Sequence, residues 1–169
     1  YLAKDGMPIG YSLELCRDIV EDMATAVDRP LAIRYVAVTP ETRMSMLTSG
    51  RIDLECGSTT ANTERRKVVA FSPVTFVAGT KLLVRRDSGI RSINDLRSRP
   101  VGVTAGTTNE AELRKLSARL KLDLKLVVAR DHDESFGLLA AGKVDAFATD
   151  DILLYGLIAR KHLERSYLV

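Results

Sequence analysis

The sequence is poor in the residues and runs that announce most specialised chemistries. Among 169 residues it has no tryptophan, 5% aromatic residues, two histidines and two cysteines. No apolar run approaches the roughly 20 residues of a membrane-spanning helix, and no secretory signal is present. The net charge of +3 suits a small anionic ligand. Blocks of basic residues with interleaved aromatics are missing, however, which argues against a nucleic-acid surface. The cysteines form no C-x-x-C pair and no metal-ligand spacing. The acidic stretch around His132 lacks the D-x-D/N-x-D/N-G loop of a calcium site. Nothing in these patterns asks for a metal or a cofactor.

What is present reads as globular: 46% apolar and 28% charged residues, enough for one ordinary domain or two small lobes. The chain opens at YLAKDGMPIG, without a charged leader or an initiator methionine, and closes on SYLV, which reads like the start of a strand. A piece of a longer protein is therefore expected. Cys16 and Cys56 are either two small buried hydrophobes or, in an oxidising compartment, a disulfide.

Ser12 is a good N-cap for a helix with the stripe Leu15, Cys16, Ile19, Val20, Met23 and Val27. LAIRYVAV, residues 31–38, is rich in β-formers. Thr39 and Pro40 start a second helix that stops at Gly50. IDLEC, residues 52–56, reads as a short strand, and Asn62 as the cap of a short helix. TFVAGTKLLVRR, residues 75–86, is extended. PVGVTAG resumes as strand and loop, and Thr107 with Glu110 is a capping-box signature before a helix carrying Leu113, Leu116 and Leu120. LKLVVA, DESFGLLAAG, VDAFAT and DDILLYGLIARK continue as strand, helix, strand and helix. This alternation predicts an α/β fold with parallel sheets.

One internal echo stands out. MLTSGRIDLECGS and LLAAGKVDAFATD share a helix end, a glycine, a basic residue, Ile or Val, an aspartate and a short buried strand. Gly50 matches Gly142, and Asp53 matches Asp145. Any helix-to-strand unit needs a glycine stop, so the echo is either generic or the trace of two similar lobes. In the second case both echoes aim polar loops at one place, since ligands of open α/β sheets collect beyond the carboxyl ends of strands.

The candidate groups sit in those loops, and each has a plain alternative. TAGTT, residues 104–108, follows a strand and opens a helix, so backbone N–H groups there face an anion, or simply serve the helix cap. Without the lysine of G-x-x-x-x-G-K-S/T it is no nucleotide loop; a small carboxylate fits better. Arg65, between Glu64 and Arg66, is either a solvated helix residue or a guanidinium turned inward to grip a carboxylate. Arg43 shares that ambiguity. His132 is a turn residue or a donor to a negative ligand, and Asp150 caps the last helix or meets an ammonium group. A Cys56–His132 nucleophile pair is disfavoured, because Cys56 lies on an expected buried strand rather than a nucleophile turn.

GYSLELC, PETRMSMLTSGRIDLECGSTTANTERRKVVAFS, FVAGTKLLVRR, VTAGTTNEAEL, ARDHDESF and DDILL together resemble the glutamate/aspartate-binding proteins of bacterial ABC transporters, in the polar-amino-acid branch of extracellular solute-binding proteins. GSTT followed by N-x-E-R and FS carries the resemblance, and ECGSTT points to the acidic-amino-acid subgroup. It implies a two-lobed, type II periplasmic-binding-protein fold closing on one amino acid: lobe one over 1–77, a hinge strand over 78–87, lobe two over 88–166 and a second hinge strand from 167. It also implies a periplasmic location, a membrane permease as partner, no enzymatic activity and no cofactor. Arg65 would pair with the α-carboxylate, with Ser58, Thr60, Thr107 and Thr108 as hydrogen-bonding partners, and Asp150 would take the α-ammonium. Arg43 and His132 would hold the side-chain carboxylate. The family has a further strand upstream of Tyr1, whose loop donates another arginine, and a return to lobe one after lobe two; Pro40 stands where relatives often have serine. Two other readings use the same fold: the ectodomain of a receptor or histidine kinase, and a dehydratase-like lyase. The lyase would need a catalytic acid in the cleft, and Glu55 and Glu110 are the only glutamates near the relevant loops, neither of them well placed.

Overall fold

From Thr80 onward, strands and helices follow one another as the hydrophobic periodicity predicts. The computed structural model describes residues 1–169, and they divide into two units: residues 1–38 with 42–71, and residues 39–41 with 72–169.

The second unit is built on one five-stranded sheet. Its elements in chain order are β1 (Thr80–Arg85), a 3-10 turn (Ile93–Leu96), β2 (Pro100–Thr104), a long helix (Thr108–Leu120), β3 (Lys125–Ala129), a helix opening at His132 (His132–Ala140), β4 (Ala146–Asp150), a last helix (Asp151–Lys161) and β5 (Tyr167–Leu168). Counting the three helices of the first unit, these become α4, α5 and α6. The strand order is β3-β2-β4-β1-β5. β2 runs parallel to β3 and β4, whereas β1 is antiparallel to β4 and β5. The sheet is therefore mixed rather than all parallel. Between β1 and β2 the chain forms only the 3-10 turn, and the two strands are not neighbours: β4 lies between them and β1 pairs with β4 and β5 instead.

Side-chain alternation sorts the core into two layers. Val84, Val101, Val103, Ala146 and Ala148 pack under Leu113 of α4 and Leu96 of the 3-10 turn. Leu83, Phe147 and Tyr167 pack under Leu139 of α5 and Leu154 and Leu157 of α6. Between Val101 and Val103, Gly102 lets α5 come close: a Cβ there would lie 3.3 Å from Val144 Cγ2 and 3.6 Å from the Ser135 carbonyl. On β4, the Thr149 hydroxyl is buried without a protein hydrogen-bond partner. Thr149→Val is expected to stabilise the protein by about 1 kcal/mol by removing a desolvated hydroxyl. A thermal-denaturation midpoint that falls instead of rising would contradict this.

The first unit holds α1 (Tyr11–Ala26), α2 (Arg43–Thr48) and α3 (Thr63–Arg66). α1 begins one residue before Ser12, with Gly10 at the cap position. The second helix starts at Arg43 behind Thr42, with residues 40–42 forming a turn. Residues 31–38 and 52–56 form no ladder, because β-propensity is realised only against a hydrogen-bonded neighbour. The stripe expected of α1 is accordingly not buried: Ile19, Met23 and Val27 are 41–50% exposed. What ties this unit together is polar and covalent. Arg17 of α1 donates to the Tyr35 hydroxyl at 3.0 Å and to the Pro8 carbonyl at 3.0 Å. Cys16 is disulfide-bonded to Cys56, with 6.2 Å between their Cα atoms.

The echo survives as geometry. Gly50 and Gly142 both adopt positive φ, 68° and 67°. After each, the next N–H reaches back to the same helical position, Arg51 to Met46 and Lys143 to Leu138, the glycine-stop motif that frees the chain to turn.

Candidate functional site

In the second unit, strand direction gathers the site. The parallel strands β2, β3 and β4 end at Thr104, Ala129 and Asp150, and antiparallel β1 begins at Thr80, paired with Asp150. All four ends share one edge of the sheet, the edge where α/β ligands are held. The N-termini of α4 and α5 open there too.

Thr107 is the N-cap of α4. Its hydroxyl accepts from the Glu110 N–H at 3.2 Å and donates to the Thr104 carbonyl at 2.7 Å. With its single proton committed, Thr107 can offer an anion only its backbone N–H. Thr108, the first residue of α4, is half-buried beside it.

Asp150 occupies the cap position of α6, yet its side chain makes no cap bond. Its Oδ1 instead accepts from Asn109 Nδ2 at 2.9 Å, while the same amide donates to Thr80 Oγ1 at 2.8 Å. Asn109 is 4% exposed, so the carboxylate is steered by a buried amide across β1, α4 and β4. The helix-capping alternative for Asp150 is thereby set aside. Neither Asn109 nor Thr80 stood out in the sequence; the one available signal was a polar residue following the Thr107 cap on a turn that should face the sheet.

His132 is the first residue of α5, behind the cap Asp131, whose side chain accepts the Glu134 N–H at 2.8 Å. That N–H, together with Arg130, holds the Asp131 carboxyl below its ordinary value. The imidazole Nδ1 lies 2.8 Å from Thr104 Oγ1, and its ring centroid is 6.2 Å from that of Phe147.

In the first unit, Arg43 is 6% exposed and its Nη1 is 4.0 Å from Glu55 Oε1. The charge run 64–67 resolves into two kinds of residue. Lys67 pairs with Glu64 in solvent at 2.7 Å, and Arg66 lies over the Phe71 ring at 5.3 Å. Arg65 is the half-buried member: its Nη1 donates to the Thr60 carbonyl at 3.0 Å. Burial pulls its guanidinium below the ordinary value, with Glu55 opposing; it stays charged at any physiological pH. The Asn62 side chain caps α3 by accepting the Arg65 N–H at 2.9 Å, as the sequence predicts, and so fixes the backbone from which Arg65 reaches. Ser58 and Thr60 lie in the exposed loop before it.

Of the eight residues singled out, Arg43, Ser58, Thr60 and Arg65 thus belong to the first unit, and Thr107, Thr108, His132 and Asp150 to the second. A cavity of about 760 Å³ on the α4 side of the sheet, lined by Leu82, Ile90, Ile93, Leu116 and Leu168, contains none of them. No group of three or more His, Cys, Asp or Glu is placed to hold a metal ion, and no helix is long and apolar enough to cross a membrane.

The fold is that of the type II periplasmic binding proteins. An ancestral arginine-binding protein bound to arginine superposes with a TM-score of 0.86 at 25% identity, over 99% of this chain and 71% of that one. The family described as bacterial extracellular solute-binding proteins, family 3, matches residues 1–119, and the chain belongs to it. It is 43% identical over 156 residues to the L-glutamate/L-aspartate-binding protein of Pseudomonas aeruginosa, covering 92% of this chain and 52% of that relative. To the glutamate/aspartate import solute-binding protein of Escherichia coli strain K12 it is 40% identical over 149 residues, 88% of this chain and 49% of that one. The chain spans about half the length of the curated relatives it matches.

Proposed function

We propose that the protein binds an acidic amino acid, L-glutamate or L-aspartate, in the periplasm and hands it to the membrane permease of an ABC importer, without acting on it chemically. The observation that carries the reading is the Asp150 carboxylate, held by Asn109 instead of capping α6. It supplies an anionic pole for an α-ammonium. Arg65 then takes the α-carboxylate in a fork-to-fork pair, assisted by Ser58, Thr60 and the N–H groups at Thr107 and Thr108. Arg43 and His132 take the side-chain carboxylate. A dicarboxylate with one ammonium requires two cationic poles and one anionic pole, and these residues are of the matching kinds. The two relatives, named for glutamate and aspartate, support the same ligand class.

Isothermal titration of the intact protein with L-glutamate, L-aspartate, L-glutamine and L-histidine tests the reading. Heat from the two acidic ligands, well above that from glutamine and histidine, is expected. Arg43→Ala and His132→Ala are each expected to cut the preference for glutamate over glutamine by about 10- to 100-fold, the loss of one charge-assisted hydrogen bond. Tighter binding of glutamine or histidine than of glutamate in the unsubstituted protein would sink the roles given to both residues.

A further inference from the structure

Two of the best-buried polar side chains, Thr104 and Ser135, are 1% and 0% exposed, and none of the ligand contacts assigned above uses them. They form one chain of hydrogen bonds with His132. Ser135 Oγ donates to the Asp131 carbonyl at 2.9 Å. A hydroxyl has one proton, so in its 2.8 Å bond with Thr104 Oγ1 Ser135 must accept, and Thr104 must donate. The Thr104 proton is then spent as well. In the remaining 2.8 Å bond, between Thr104 Oγ1 and His132 Nδ1, the oxygen can only accept, and the imidazole must supply the proton. The direction of the whole relay is set at its far end by a carbonyl that can do nothing but accept.

We propose that Thr104 and Ser135 are positioning residues that lock His132 in its Nδ1–H tautomer, so that Nε2 donates to a ligand carboxylate only from the imidazolium and an acidic ligand is bound together with a proton. This rests on His132 being a ligand group for the side-chain carboxylate, as read above. In the neutral ring of this tautomer Nε2 is a bare lone pair. It opposes a carboxylate but accepts an N–H from a side-chain amide. The relay thus makes the discrimination between acid and amide depend on pH.

The sign follows from linkage. Binding that favours the imidazolium raises the pKa of His132 in the complex. Affinity for glutamate is then full below the free-state pKa and falls by about tenfold per pH unit above it, until the pKa of the complex is passed. Glutamine should show no such slope. The charged groups at the α5 N-terminus are Asp131, Asp133 and Glu134 on the helix itself, Arg130 paired with Asp131 at 3.2 Å, and Arg160 of α6 at 3.9 Å from Asp133. β2 and β4 meet the ring with Thr104 and Phe147, both uncharged. Asp131 and Asp133 are paired with arginines and Glu134 accepts the Arg130 backbone N–H at 2.8 Å, so the ligand's carboxylate adds a charge beside acids that already have partners.

The test is made on the intact protein. Nitrogen-15 NMR of its histidines, with His132 assigned by its loss in His132→Gln, should show Nδ1 protonated and Nε2 bare on the basic side of the ring's own titration, followed across pH in the same spectra. Calorimetry in two buffers of different ionisation heat should show uptake approaching one proton with L-glutamate, and none with L-glutamine, somewhere between about pH 5.5 and about pH 8.5. Thr104→Val, which keeps the shape but removes the acceptor, should release the tautomer and flatten the pH profile of glutamate affinity; Thr104→Ser should restore both. An Nε2–H tautomer in the free protein, or glutamate binding without proton uptake across that range, overturns the proposal. Failure of the functional reading looks different: no heat from glutamate at any pH, which removes the coupling along with it.

Discussion

Arg65→Ala is expected to abolish binding of every amino acid, acidic or not, because it removes the group assigned to the part that all of them share. Nothing else in the run 64–67 can substitute. Glu64 and Lys67 neutralise each other, and Arg66 is spread over the Phe71 ring. Arg65 alone is drawn inward, with one guanidinium nitrogen on the Thr60 carbonyl and its backbone N–H on the Asn62 cap. Part of its dehydration is therefore already met before a ligand arrives, which burial expresses as a lowered pKa. Losing one partner of such a charge pair costs about 2–5 kcal/mol, or roughly 30- to 5,000-fold in affinity. Arg65→Lys should recover only part of this, since an ammonium cannot form the two parallel bonds of a guanidinium. Arg66→Ala, its exposed neighbour, should leave binding unchanged. Titration calorimetry on the three variants decides the matter: an Arg65→Ala protein that still binds glutamine while losing glutamate would exchange the roles of Arg65 and Arg43.

How much of this could be read from the chain depended on how local each feature is. The caps of α3 and α4 were legible, because Asn62 and Thr107 satisfy N–H groups three residues away. So were the glycine stops at Gly50 and Gly142, which need only a backbone conformation. The α/β class followed from alternation, and the eight candidate residues from motifs resembling a known family. The strands expected at 31–38 and 52–56 were not realised as ladders, since pairing is a property of neighbours and not of the segment. The antiparallel entry of β1 was hidden for the same reason. Least visible were the buried polar residues that aim the site. Asn109, Thr80, Thr104 and Ser135 look like ordinary helix and strand residues. Their roles exist only where Gly102 lets α5 approach β2, or where the first turn of α4 meets the ends of β1 and β4.

Breaking the Cys16–Cys56 bond is expected to loosen the first unit by about 4 kcal/mol while leaving the second unit's core intact. The magnitude follows from a sequence separation of 40 residues, whose closure the cross-link removes from the unfolded chain's entropy. The asymmetry follows from where apolar burial lies. Every buried hydrophobic residue falls between Leu83 and Tyr167, and α1 buries none of its own. The first unit therefore depends on the disulfide and on Arg17 for constraints that the second unit obtains from packing. Cys56 also stands two residues before Ser58, so the cross-link anchors the loop that leads to Arg65. Paired Cys16→Ser and Cys56→Ser substitutions should speed proteolysis and amide exchange within residues 1–71, with protection of β2 and β4 unaltered. They should also weaken ligand binding through the less ordered 57–62 loop. An oxidising compartment maintains such a bond, which agrees with the periplasmic setting proposed above. If the serine variants exchanged amides in the first unit no faster than the oxidised protein, the polar contacts of Arg17 would suffice, and the cross-link would have no part in shaping the arginine-bearing loop.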